Sequence, residues 1–173
     1  LHYAHSTTPG VMHTSDYRLF SPVPLEVEFM YTANTWTDVG VDTVLSDWRR
    51  MTETKLPPVD NPETRQIALD LRATASSDED YVAMVLDTFN REGFVYTLRP
   101  GTSSGRHPID EFMFQSRRGF CEHYASAFVF MMRAAGVPAR VVAGYQGGEI
   151  NPVNKTVIVH QFDAHAWAEV WID

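Results

Sequence analysis

A second cysteine is missing from this chain of 173 residues: Cys121 stands alone, so no internal disulfide can form and the core itself must hold the fold. Long hydrophobic runs are missing too. No stretch approaches the ~20 apolar residues of a spanning helix, and the first ten residues (LHYAHSTTPG) lack the apolar centre of a signal peptide. The expectation is a soluble segment that fits a domain cut from something larger. Positive charge is scarce. Fourteen Lys and Arg face 22 Asp and Glu, for a net charge of −8, which argues against nucleic acid and against an anionic bilayer surface as electrostatic partners. Repeats and low-complexity tracts are absent as well. What remains is one domain's length of ordinary globular composition, 44% apolar and 21% charged.

The texture changes along the chain. Residues 1–22 have no clear period, and their histidines His2, His5 and His13 suit a solvated arm better than a metal site. Leu25–Tyr31 (LEVEFMY) alternates apolar residues with Glu26 and Glu28 and predicts a strand. A short helix follows over Asp42–Met51. Together these make an N-terminal arm over 1–55 that leads into a core over 56–173. Asn61, Pro62 and Glu63 form a helix start. A second helix is expected over Asp78–Asn90, with Tyr81, Met84, Val85, Leu86 and Phe89 inward. Phe94–Leu98 reads as a strand, and Arg99–Ile109 (RPGTSSGRHPI) as a loop of the kind that borders a cleft. Cys121–Ala135 (CEHYASAFVFMMRAA) is apolar almost all round, the mark of a central buried helix, and Gly136 and Pro138 stop it. Strands over Ala139–Tyr145 and Val157–His160 precede His165–Ile172 (HAWAEVWI), apolar on both faces as a covered central strand would be. Helices first and a sheet afterwards define an α+β fold.

Chemistry-bearing residues gather near Cys121. It opens a buried helix, whose N-terminal partial charge stabilises a thiolate. Gly119 allows a tight chain entry, and Arg117 and Arg118 add positive potential. Two readings stand, an inert structural thiol and a nucleophile. A nucleophile needs a base. His123, two residues on, points roughly the opposite way around the helix and suits a structural or substrate-side hydrogen bond. His160 ends a strand and could be merely exposed. His165 opens the last strand, where an imidazole is either a satisfied core group or the partner of the thiol. Cys121, His123, His160, Asp163 and His165 include zinc-ligand types, but their spacing matches no closed ligand set, so no metal is expected.

Three segments carry a resemblance: Arg117–Phe128 (RRGFCEHYASAF), Ala134–Glu149 (AAGVPARVVAGYQGGE) and Asp163–Trp171 (DAHAWAEVW). With their G-x-C-x-x-x-A, G-V-P-A-R and H-A-W-x-E cores they resemble the transglutaminase-like superfamily, and within it the periplasmic domains of bacterial inner-membrane proteins. The likeness is dense from about Leu56 to Asp173. It implies a papain-like fold, a central helix carrying Cys121 packed on an antiparallel sheet carrying His165, and a Cys-His-Asp triad working through a thioester without a cofactor. It implies Cys121 as nucleophile and His165 as general base and acid. The third member is expected on a strand following Asp173; Asp163 and Asp173 are poor candidates. An oxyanion-assisting aromatic falls on Tyr96, and Tyr124 either lines the same cleft or serves as a core aromatic. The implied partners are a peptide or protein offering a glutamine or other amide and a primary-amine acceptor, with no nucleic acid; the parent protein would be membrane-anchored and this segment periplasmic. Water in place of the amine would make a periplasmic cysteine peptidase or amidase, with peptidoglycan stem peptides among its plausible substrates. A non-catalytic peptide-binding module is the third alternative.

Overall fold

The structure is a computed structural model that describes residues 3–14, 18–36, 44–91, 93–102 and 105–172. The chain gathers into two compact units, Leu1–Leu45 and Ser46–Asp173.

The first unit is built from short antiparallel pairs. Strand β1 (Tyr3–His5) pairs with β4 (Asn34–Trp36), and β2 (Met12–His13) with β3 (Leu19–Phe20). Ser6 ties them: its backbone N–H donates to His13 Nε2 at 2.9 Å and its hydroxyl to the Thr32 carbonyl at 2.7 Å. The His5 and His13 rings are stacked at 4.6 Å; His2 lies outside the described residues. The arm is thus more ordered than its texture predicts. The expected strand over Leu25–Tyr31 does not form. Leu25, Val27, Phe29 and Tyr31 are exposed, and alternation alone cannot make a strand without a neighbouring ladder.

The second unit holds the helices and the main sheet. Helix α1 (Asp47–Glu53) begins at Ser46, whose hydroxyl accepts from the Arg49 N–H. It therefore belongs to this unit and starts later than its expected span, of which 42 and 43 lie outside the described residues. Helices α2 (Pro62–Thr74) and α3 (Asp78–Arg91) follow at the expected places. Tyr81 and Val85 of α3 are buried, but Leu86 is exposed, because it sits off that face on the wall of an open cleft. Strand β5 (Val95–Tyr96) leads by a loop into α4 (Pro108–Asp110), which continues as a π-helical turn over Glu111–Ser116. Strand β6 (Arg118–Gly119) runs into α5 (Cys121–Ala134), whose Ala127 to Met132 are all buried.

Strand β7 (Ala139–Tyr145) pairs antiparallel with β10 (Ala164–Val170), with His165 opposite Gly144 and Val170 opposite Ala139. Between them lies a small hairpin, β8 (Glu149–Ile150) with β9 (Val157–Ile158), shorter than the expected Val157–His160. Helix α5 packs on the β7–β10 pair, its buried residues meeting Ala168 and Val170. This is the papain-like α+β core. β10 itself is only partly covered, and Trp167 and Ile172 are exposed. Among the described residues its one ladder partner is β7, so the covered central strand read from HAWAEVWI is not what the structure has.

The start of α2 departs from the local expectation. Asn61 adopts a left-handed conformation and makes no side-chain cap. Its Oδ1 instead accepts from the N–H groups of Ile109 and Asp110, at 3.0 and 3.3 Å. Asp110 returns the favour, its carboxylate accepting from Glu63 N–H (3.2 Å), Thr64 N–H (2.8 Å) and the Thr64 hydroxyl (2.6 Å). Each segment caps the other, with Asn61, Thr64 and Asp110 all buried. Removing the carboxylate strands buried donors at a helix N-terminus. Asp110→Ala should therefore lower stability by roughly 2–3 kcal/mol, read as a shift of the urea midpoint at unchanged m-value.

Candidate active site

Cys121 owes its place to a two-residue parallel pairing. Val95 lies beside Arg118 and Tyr96 beside Gly119, fixed by Val95 N–H to the Arg117 carbonyl (2.8 Å) and Thr97 N–H to the Gly119 carbonyl (2.7 Å). The register carries Tyr96 to the start of α5. Its hydroxyl oxygen accepts from the Cys121 backbone N–H at 3.3 Å. Gly119 is required by close approach: a Cβ there would stand 2.6 Å from His123 Cβ and 2.8 Å from Phe112 Cε2. His123 stays at the helix start, where its Nδ1 accepts from the Phe120 N–H at 3.4 Å and its ring meets Phe120 and Phe112. That is a structural hydrogen bond, and the ring also lines two surface grooves.

Cys121, His165, Tyr96 and Tyr124 all line one open cleft of about 860 Å³. Apart from Asn90 the rest of its wall is apolar, with Leu86 and Phe89 of α3, Phe128 of α5 and Ala166, Trp167 and Val170 of β10 among its residues. Tyr124 belongs equally to an aromatic cluster. Its ring packs edge-on to Phe112 at 5.1 Å and stacks on Tyr96 at 6.0 Å. Burial, with the neighbouring Tyr96 adding to it, pushes its phenol above the usual tyrosine range. Both readings of Tyr124 thus describe the same ring. The apolar wall from α3 had a faint sequence signal: Leu86, apolar but off the face that buries Tyr81 and Val85.

Asp163 faces elsewhere. Its carboxylate accepts from the His160 N–H at 2.7 Å and lies 3.5 Å from His160 Nδ1. Among the described residues no carboxylate is hydrogen-bonded to the His165 ring, and Asp173 lies outside them. Of the two arginines before the thiol, Arg117 lies with its guanidinium over the Phe94 ring at 5.8 Å, and Arg118 lines a different groove. That groove also takes Pro100, Gly101 and Thr102, together with Glu111 and His123. The described part of the 99–109 loop therefore borders the His123 side of α5 rather than the cleft of Cys121, which corrects the expectation from its composition. The reason is β5: its pairing with β6 sends the chain past the helix start before the loop begins.

A helix that offers a cysteine at its first turn to a cleft shared with a histidine on an antiparallel sheet defines the papain-like class of thiol sites. The transglutaminase-like superfamily model matches residues 65–173, and the chain belongs to that superfamily. It is 44% identical over 157 residues to the protein-glutamine gamma-glutamyltransferase of Pseudomonas aeruginosa, covering 91% of this chain and 23% of that protein. It is 31% identical over 123 residues to the YebA protein of Bacillus subtilis, covering 68% of this chain and 17% of that one. The crystal structure of the periplasmic domain of TgpA from Pseudomonas aeruginosa superposes with a TM-score of 0.90 at 42% identity, over 97% of this chain and 58% of that chain. The chain thus spans about a quarter or less of these curated relatives. No helix among the described residues is long and apolar enough to cross a membrane.

The tight seat of Gly119 gives a direct test of how the thiol is held. Gly119→Ala should cost roughly 1–3 kcal/mol by forcing Phe112 or His123 aside, measured by chemical denaturation. It should also slow Cys121 alkylation in the folded protein, since the displaced side chains carry the helix start with them.

Proposed function

We propose that this domain is a cysteine acyltransferase that acts on glutamine carboxamides through a thioester, with Cys121 as nucleophile and His165 as its base and acid. The observation that carries the reading is the pairing of the Tyr96 hydroxyl with the Cys121 N–H at 3.3 Å, in the wall of the cleft that His165 also lines. Two hydrogen-bond donors that meet beside a thiol are what a tetrahedral oxyanion requires.

In this mechanism the His165 imidazole takes the Cys121 proton, and the thiolate attacks the carboxamide carbon. The oxyanion replaces the Tyr96 oxygen as acceptor for the fixed Cys121 N–H and accepts as well from the Tyr96 O–H, which rotates toward it. Collapse breaks the C–N bond, His165 returns the proton to the departing ammonia, and the acyl group remains on sulfur. A primary amine then loses a proton to His165 and attacks the thioester, regenerating the thiol. The apolar wall of Leu86, Phe89, Phe128 and Val170 favours the aliphatic part of an acyl chain and disfavours ordered water, which supports transfer over hydrolysis. The third member of the triad is proposed on a strand following Asp173, because Asp163 is committed to His160. Similarity to a periplasmic domain supports a periplasmic placement in a larger, membrane-anchored protein.

Mass spectrometry of a glutamine peptide incubated with a primary amine tests the reading. The expected product carries the amine in place of ammonia and disappears with Cys121→Ala. A free glutamate product alone would make the domain an amidase, and no change in the peptide would leave only a binding module. Tyr96→Phe should lower kcat about a hundredfold with little change in KM, the usual loss for one oxyanion donor. Asp163→Asn should change kcat by no more than about threefold, whereas a loss near 10⁴, the size seen when a triad carboxylate is removed, would place Asp163 in the triad.

A further inference from the structure

Beside His165, on the same face of β10, an indole is clamped where a strand residue would ordinarily be free to turn. Trp167 donates its Nε1–H to Glu169 Oε1 at 3.3 Å. The other oxygen of that carboxylate, Oε2, accepts from Arg140 Nε at 2.9 Å and Nη2 at 2.6 Å. Arg140 is anchored in turn, its Nη1 lying 3.7 Å from Oε1 of the buried Glu53 on α1. The far end of the indole lies over Gly144, where a Cβ would stand 2.8 Å from Cη2 and 3.2 Å from Cζ3. Gly144 is the cross-strand partner of His165, and Trp167 lines the cleft of Cys121.

A cross-strand ion pair alone would stabilise two strands, and Arg140 opposite Glu169 does so. That role needs neither the second carboxylate oxygen on the indole nor an empty Cβ position at Gly144. We propose that Arg140, Glu169 and Gly144 are positioning residues that fix the Trp167 indole as the substrate-binding wall next to His165, so that an extended acyl donor, rather than a small thiol reagent, depends on the clamp. Glutamate suits the post because it has two acceptor oxygens for two donor groups, the guanidinium and the indole. A glutamine has one, and its NH2 would oppose either the guanidinium or the indole N–H. Arginine likewise supplies two donors, Nε and Nη2, to the one oxygen Oε2, where lysine supplies a point charge. The inference deepens the acyltransferase reading and rests on it for the nature of the donor, but its test does not require turnover.

The test compares two alkylations of Cys121 in the folded protein. Iodoacetamide is small, and sulfur displaces iodide from it. A glutaminyl-dipeptide isostere carrying a chloroketone in place of the carboxamide is long, and sulfur displaces chloride from it after the peptide has seated in the cleft. The expected result for Glu169→Gln and for Gly144→Ala is a fall of about tenfold or more in the peptidyl rate, the scale of a lost apolar pocket contact, with the iodoacetamide rate within about twofold of the parent. Gly144→Ala reaches the same indole without touching the ion pair and has no left-handed backbone to strain, so it decides the matter should Glu169→Gln fail to fold. Adding Glu169→Gln to Trp167→Phe should produce no further fall, because the clamp then has nothing to hold. Three results overturn the proposal: an unchanged rate ratio in Gly144→Ala, a parallel fall of both rates, or additive losses in the double variant. If the ratio shifts as expected but glutamine and amine give no product, the clamp stands and the acyltransferase reading falls.

Discussion

The seating of α5 is the constraint on which the rest depends. Its residues Ala127 to Met132 are buried, so the helix has no freedom to rotate or slide without opening the core. Both ends are pinned. At the far end Tyr81 donates its hydroxyl proton to the Met131 carbonyl at 2.8 Å, and burial pushes that phenol well above its ordinary range, keeping it a donor. Arg133 reaches back to the Ala139 carbonyl at 2.8 Å and to the Lys55 carbonyl at 3.2 Å. At the near end the β5–β6 pairing and the Gly119 contact fix the entry. A first-turn cysteine on so constrained a helix keeps its direction, which is the preorganisation a thiol site needs.

The capping exchange between Asn61 and Asp110 extends this logic to the wall behind the site. Asp110 precedes the π-helical turn whose Phe112 underlies Gly119 and touches both His123 and Tyr124. Helix α2 is thereby connected to the aromatic cluster through two buried side chains rather than through a loop. The cost of burying a carboxylate is met by three donors to it, the arrangement in which a buried charge is tolerable.

Much of this was legible in the sequence, and the failures share a cause. The helix from Cys121 was readable because an all-round apolar run bounded by Gly136 and Pro138 leaves little choice; Gly136 adopts the positive φ of 79° that ends it. Strand β7 was readable over its whole length. The Leu25–Tyr31 alternation misled because a period of two reports which faces differ, not whether another strand is there to pair with. Asn61-Pro62 looked like a local cap, and nothing nearby in sequence reveals that Ile109 and Asp110 supply better donors. Tyr96 followed from the family resemblance rather than from any pattern. The two-residue pairing that carries it to Cys121 is too short to leave a period. For Asp163 the deciding partner is the His160 N–H three residues back, a local capping contact in a single 3₁₀ turn.

Small residues set how near the two halves of the site come. Alanine occupies positions 164, 166 and 168 of β10, and positions 125 and 127 of α5. Ala168 packs into the core with Ala127 and Phe128, while Ala166 and Ala125 line the cleft. Methyl groups on both surfaces let the helix lie close to the strand, and closeness between α5 and β10 is closeness between the elements that carry Cys121 and His165. The bulk needed to fill the interior is supplied away from that seam, by Met131, Met132 and Tyr81. On the same strand the opposite face carries Trp167 and Glu169, the large and charged residues the seam could not hold. The alternation of HAWAEV is therefore a division of labour: one face sets the approach of helix to strand, and the other, locked by Arg140, stabilises the strand that presents the histidine. A substitution that enlarged an alanine on the first face would separate the two elements, whereas one on the second would disturb only what lies beside the histidine.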